Sequence, residues 1–163
     1  MAIATTIAGR AVDQAGSKLA TALAKLEGAA NAEPARRALQ TALAALRLAQ
    51  FEVTAGGAKP ATLGSWSRDR RDPDEWVGGS VAVDGKAYRL MAKVYDGPSE
   101  FGLLNGRTSK LTVWAVGPGD QRSVLVEYDR GWGDDGPPGE IHVAKVVGAI
   151  VAALETLPPV PAR

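Results

Sequence analysis

Between Val77 and Asp129 apolar residues fall at every second position in four separate runs, a period that strands satisfy and helices do not. The first two runs, VGGSVAV and KAYRLMAKVY, are separated only by Asp84-Gly85. That dipeptide tolerates the positive φ angles of a type I′ turn, so the pair reads as a tight hairpin. In its second strand Tyr88, Leu90, Ala92 and Val94 share a face, opposite Arg89, Met91 and Lys93. SKLTVWAV sets Leu111, Val113 and Ala115 against Lys110, Thr112 and Trp114, and RSVLVEYD sets Val124, Val126 and Tyr128 against Leu125, Glu127 and Asp129. Alternation along all four implies an antiparallel sheet with one face covered, which leaves Arg89 and Lys93 toward solvent. The cover is EIHVAKVVGAIVAALETL, residues 140 to 157. It carries Val143, Val147, Ile150, Leu154 and Leu157 on one helical stripe and stops before Pro158-Pro159.

Upstream the period changes from 2 to 3.6. Residues 11 to 28 place Val12, Leu19, Leu23 and Leu26 on one stripe, with Gly28 as a stop. The next run opens with Asn31 as N-cap and Pro34 in the first turn, then repeats Leu39, Leu43 and Leu46. Two helices joined by a short turn form an antiparallel hairpin. Its many alanines favour helix but bury little area, so at roughly 25 cal/mol per Å² the bare hairpin is marginal and should pack on the rest of the chain or on a second copy. TAGGAKPATLGS then reads as a linker and WSRDRRDPDEW as a charged, solvated loop. The expected fold is α+β. It has an N-terminal helical hairpin (1–53), a linker and charged loop (54–75), and a four-stranded antiparallel sheet covered by a C-terminal helix (76–163).

Composition narrows the function. Nineteen basic and eighteen acidic residues leave a net charge of +1, so no overall field draws the chain to nucleic acid or membrane. Cysteine is absent and His142 is the sole histidine, which removes thiolate chemistry and leaves a metal only all-oxygen ligands. No metal and no cofactor are expected. Asp129, Asp134 and Asp135 lack calcium-loop spacing. The N-terminus makes a poor signal peptide, and no apolar run approaches the ~18 residues of a membrane span. A soluble, cytoplasmic protein is the expectation.

Two stretches hold the chemistry-bearing residues. YDGPSEFGLLNGRTSK offers Asp96 and Glu100 in a long loop, then Arg107, Ser109 and Lys110 at its return. Cations beside hydroxyl and backbone donors suit phosphate or carboxylate recognition, and loops of this length are often functional. The bland reading has Asp96 and Ser99 capping local turns and Phe101 pinning the loop to the core. YDRGWGDDG supplies Asp129, Arg130 and Trp132, where the indole could stack on a ligand whose anionic part meets Arg130, or simply cap the core. In an antiparallel meander both stretches lie at the same end of the sheet.

The order AKVYDGPSEFGLLNGRTSKLTVW, then YDRGW before a final helix, resembles a family of small uncharacterised domains from bacteriophages, prophages and mobile elements, over roughly residues 76 to 157. The resemblance implies a genomic setting and no mechanism. The expected function is a non-catalytic binding protein that takes a host protein or small anionic ligand, as an inhibitor or anti-defence factor would, and that forms a homo-oligomer through residues 11 to 50. The alternative is a small hydrolase or nucleotide-acting enzyme using Glu100 and Asp129 as acid and base. No nucleophile elbow, zinc motif or P-loop supports an enzyme. Direct nucleic-acid binding lacks an aromatic ladder.

Overall fold

The computed structural model describes residues 14–25, 33–68, 76–133 and 136–158. The expectations for Val12, Leu26, Gly28, Asn31, Asp134, Asp135 and residues 69–75 of the charged loop lie outside them. Three helices and five strands follow in the order α1 (residues 14–25), α2 (Glu33–Gly56), β1 (Thr62–Arg68), β2 (Trp76–Val83), β3 (Lys86–Val94), β4 (Thr108–Val116), β5 (Arg122–Asp129) and α3 (Ile141–Glu155). The strands form one antiparallel meander, β1-β2-β3-β4-β5.

The sheet has five strands where four were expected. The extra one, β1, spans the end of the segment read as a linker and the start, Trp66 to Arg68, of the one read as a charged loop, and it pairs with β2 across Thr62↔Ala82 and Arg68↔Val77. Its Gly64-Ser65 interrupts the alternation, and the register shifts between Leu63 and Trp66, which is why period two does not show there. The second helix also runs past the predicted break to Gly56. Phe51 and Ala55 are 1% and 2% exposed, so tertiary burial extends a helix whose local sequence, VTAGG, disfavours it.

The β2–β3 hairpin closes as its sequence requires, with Val83 opposite Lys86 and positive φ at Asp84 (48°) and Gly85 (77°). Val77, Val81, Tyr88, Leu90, Ala92, Val94, Leu111, Val113, Val126 and Tyr128 form the covered face, and α3 lies on it. Ten of the fifteen residues of α3 are buried, because α2 packs on its outer side. The layers are therefore sheet, α3, α2, and burial on both sides explains how a Val-rich segment with weak helix propensity holds a helix.

The α2–α3 crossing is close. A Cβ on Gly148 would fall within contact of the Ala55 main chain, so glycine is the residue that lets the two backbones meet. Just beyond, the Ala61 N–H donates to the Ala149 carbonyl at 2.8 Å and ties the connector to α3. The first eighteen residues of α2 contain none that is buried; Leu39, Leu43 and Leu46 are half-buried, with Leu46 lying over Gly16 of α1. At about 1.5 Å per residue this arm projects roughly 27 Å.

Candidate functional site

The loop between β3 and β4 is closed by its own backbone. The Tyr95 N–H donates to Arg107 O (2.9 Å) and Ser99 N–H to Gly106 O (3.1 Å), while a short 3₁₀ turn at Leu103–Asn105 fills the middle. Ser99 Oγ accepts from the Phe101 N–H at 3.1 Å. Leu103, at 3% exposure, pins the loop to the core. Phe101, read as the pin, is 44% exposed and contributes its carbonyl instead, which accepts the Tyr128 hydroxyl at 3.1 Å. Asp96 and Glu100 lie exposed on the loop.

Arg107 sits one residue before β4 and turns toward the C-terminal end of α3. Its Nε donates to Tyr95 O (2.6 Å) and its Nη1 to Glu155 O (3.2 Å) and Leu157 O (2.9 Å). A guanidinium there satisfies carbonyls left open at a helix end and opposes the negative end of the helix dipole. The clasp is reciprocal: Glu155 Oε1 accepts from the Arg107 N–H at 2.7 Å and from Thr108 Oγ1 at 3.5 Å. A Cβ at position 106 would lie 2.6 Å from Glu155 Oε1, so Gly106 leaves the room this clasp needs. Nη2 of Arg107 and Oγ of the fully buried Ser109 have no partner among the described residues.

The second stretch meets the first across the sheet. Lys110 faces Asp129 in register, and Lys110 Nζ lies 2.9 Å from Asp129 Oδ2. Arg130, with φ 58°, donates its N–H to Ser109 O at 2.8 Å, and its exposed side chain reaches Asp129 at 3.6 Å. Trp132 is half-buried against Phe51 of α2 and Tyr128 of β5, with edge-to-face rings 4.9 and 5.1 Å apart. Burial also raises the Tyr128 phenol above its ordinary range. Lys110, Asp129 and Arg130 thus share one sheet end with Ser109, Arg107 is directed to α3, and Trp132 is directed to α2.

Several residues of the two stretches have mechanical partners in this arrangement: Gly106 and Arg107 with α3, Ser109 with Arg130, Lys110 with Asp129, Leu111 in the core, Tyr128 with Phe101. Glu155, which receives the loop, was missed; at the last turn of an apolar helix nothing in the sequence marks a carboxylate that points inward. Lys93, expected toward solvent, is 7% exposed, with its Nζ 5.3 Å from the Tyr95 ring centroid, because a cation and an aromatic face two residues apart fold onto each other.

The other face of the sheet has no helix on it among the described elements. Register sets Arg89 beside Trp114 and Trp114 beside Val124, with Met91 beside Thr112 in the next row. Met91 is 46% and Val124 60% exposed, well above the exposure of any apolar residue on the covered face of these strands.

A domain of unknown function (DUF7678) is found at residues 75–155, an uncharacterised small domain that begins at β2 and ends with α3. No curated protein and no solved structure matches the chain. Among the described residues no helix is long and apolar enough to cross a membrane.

Proposed function

We propose that this chain is a non-catalytic binding protein that takes a partner protein on the open face of its sheet, in the mobile-element setting its sequence pattern resembles. The observation that carries the reading is the row Arg89, Trp114, Val124 with Met91 beside it. Tryptophan, methionine and arginine are the residue types enriched at the centres of protein interfaces, and here they share one sheet face with exposed apolar area at Met91 and Val124. Both ends of the meander favour a face over an edge, since register shifts in the β1–β2 and β4–β5 pairings disrupt a regular template for strand addition. The anionic-ligand version has less support, because Arg107 and Lys110 already meet main-chain carbonyls and Asp129. The projecting hairpin belongs to the same reading as an assembly surface, and a monomeric mass by light scattering at high concentration would remove that part.

The test compares the full chain with Met91→Glu/Val124→Glu in affinity purification from its native host. Both positions are exposed, so the variant should melt with the wild type. A protein retained by the wild type and reduced at least tenfold by the variant is the expected outcome. Identical retained proteins for both would overturn the reading.

A further inference from the structure

A solvent-open cavity of about 260 Å³ lies on the helical side of the molecule, where the end of α2, the 103–106 turn and α3 meet. Leu103, Leu104, Val151 and Ala152 make it mainly apolar, Gly56 brings in the end of α2, and Glu155 is the one ionisable side chain among the described residues that line it. Glu155 has a distinctive hydrogen-bond pattern. Its Oε1 takes the Arg107 N–H and the Thr108 hydroxyl, whereas Oε2 has no partner among the described residues. The neighbouring guanidinium donates to carbonyls and not to this carboxylate.

A second source of negative potential adds to it. The C-terminal end of a helix carries about half a negative charge, and α2 ends at this cavity with no basic residue in its last turn. At the rim Leu104 is held at φ 56°, a conformation unfavourable for a side chain of its size, so the surrounding loop maintains the shape against local strain. An apolar recess with a free carboxylate oxygen and a helix C-terminus suits a cation whose remainder is hydrocarbon. The volume sets the size. A cavity of about 150 Å³ takes one benzene ring, and pockets for drug-sized ligands begin at roughly 300 Å³, so a nucleotide is too large.

We propose that this cavity binds a primary ammonium group on a compact apolar body, with the ammonium donating to Glu155 Oε2 and the hydrocarbon against Leu103, Leu104 and Val151. The group can arrive as a free amine or as a lysine side chain of a partner.

The probes are benzylammonium, its neutral isostere benzyl alcohol, and a lysine dipeptide blocked at both ends, each titrated into the full chain by NMR. Glu155→Gln keeps the Oε1 acceptor for Arg107 and removes the charge, so it separates binding from the clasp. Expected are shifts confined to the cavity residues, binding of benzylammonium at least tenfold tighter than benzyl alcohol, and loss of that preference in Glu155→Gln. Tighter binding of the dipeptide than of benzylammonium would identify a partner lysine as the source, and the reverse a free amine. Ala152→Leu, which fills the cavity, should abolish both. Equal affinity for the amine and the alcohol, or no binding by the wild type, overturns the proposal. Met91→Glu/Val124→Glu should leave amine binding unchanged, so the cavity and the sheet face succeed or fail separately.

Discussion

Arg107→Ala separates a fastening from a binding residue. The wild-type side chain donates to Tyr95 O, Glu155 O and Leu157 O at 2.6, 3.2 and 2.9 Å, and thereby joins the end of β3, the start of β4 and the end of α3. Hydrogen bonds from a charged donor contribute roughly 1.5 to 3 kcal/mol each when well formed. Three such bonds do not add fully, because water reaches the half-buried site in the variant and the partnerless Nη2 is removed with the rest. A net loss of about 2 to 4 kcal/mol follows. At about 2 to 4 °C per kcal/mol for a chain of this size, Tm should fall by roughly 5 to 15 °C. Arg107→Lys should recover less than half of this, since one compact ammonium cannot span three carbonyls. Arg130→Ala is the control: its side chain is 56% exposed and reaches only the adjacent Asp129 at 3.6 Å, so the cost should stay below about 0.5 kcal/mol. Differential scanning calorimetry on the three variants measures all of this. A Tm for Arg107→Ala within 2 °C of wild type, the heat capacity of unfolding unchanged, would refute the argument that this arginine holds the loop to the helix.

Two further outcomes follow from the packing and from the buried phenols. Gly148→Ala gains about 1 kcal/mol of helix propensity but drives a methyl into the Ala55 main chain, so the net effect in urea denaturation should be a loss of roughly 2 kcal/mol or more; a neutral or stabilised variant would mean that α2 is not seated on α3. Burial raises both Tyr88 and Tyr128 above their ordinary value near 10, with Asp84 adding to the rise at Tyr88. The unfolded chain therefore releases those protons first, and stability, full below pH 10, should be lost as pH rises through 10 toward the folded values. Tyr128→Phe should cost about 1 kcal/mol at pH 7 through the bond to Phe101 O and should flatten that alkaline decline, which denaturation at pH 7 and at pH 11 would show.

The strands β2 to β5 and the helix α3 were legible because their order is local: period two, an Asp-Gly turn and an apolar stripe ending at Pro158 are properties of neighbouring residues. By the same means the sequence placed Lys110, Asp129 and Arg130 at one end of a meander. What it did not carry is any choice made between distant segments. Gly64 and the adjoining register shift hid β1, whose pairing depends on β2 rather than on its own alternation. VTAGG reads as a helix end, yet α2 continues because Phe51 and Ala55 reach a surface that α3 and Trp132 provide. Arg107 presents the same guanidinium to an anion or to a helix end, and only the arrival of Glu155 O and Leu157 O, 48 and 50 residues away, decides which it meets. Local periodicity sets where elements form, because its energy is collected within a few residues. The partner of a charge, and the side of a helix that becomes core, depend on contacts that exist only once the chain has closed on itself.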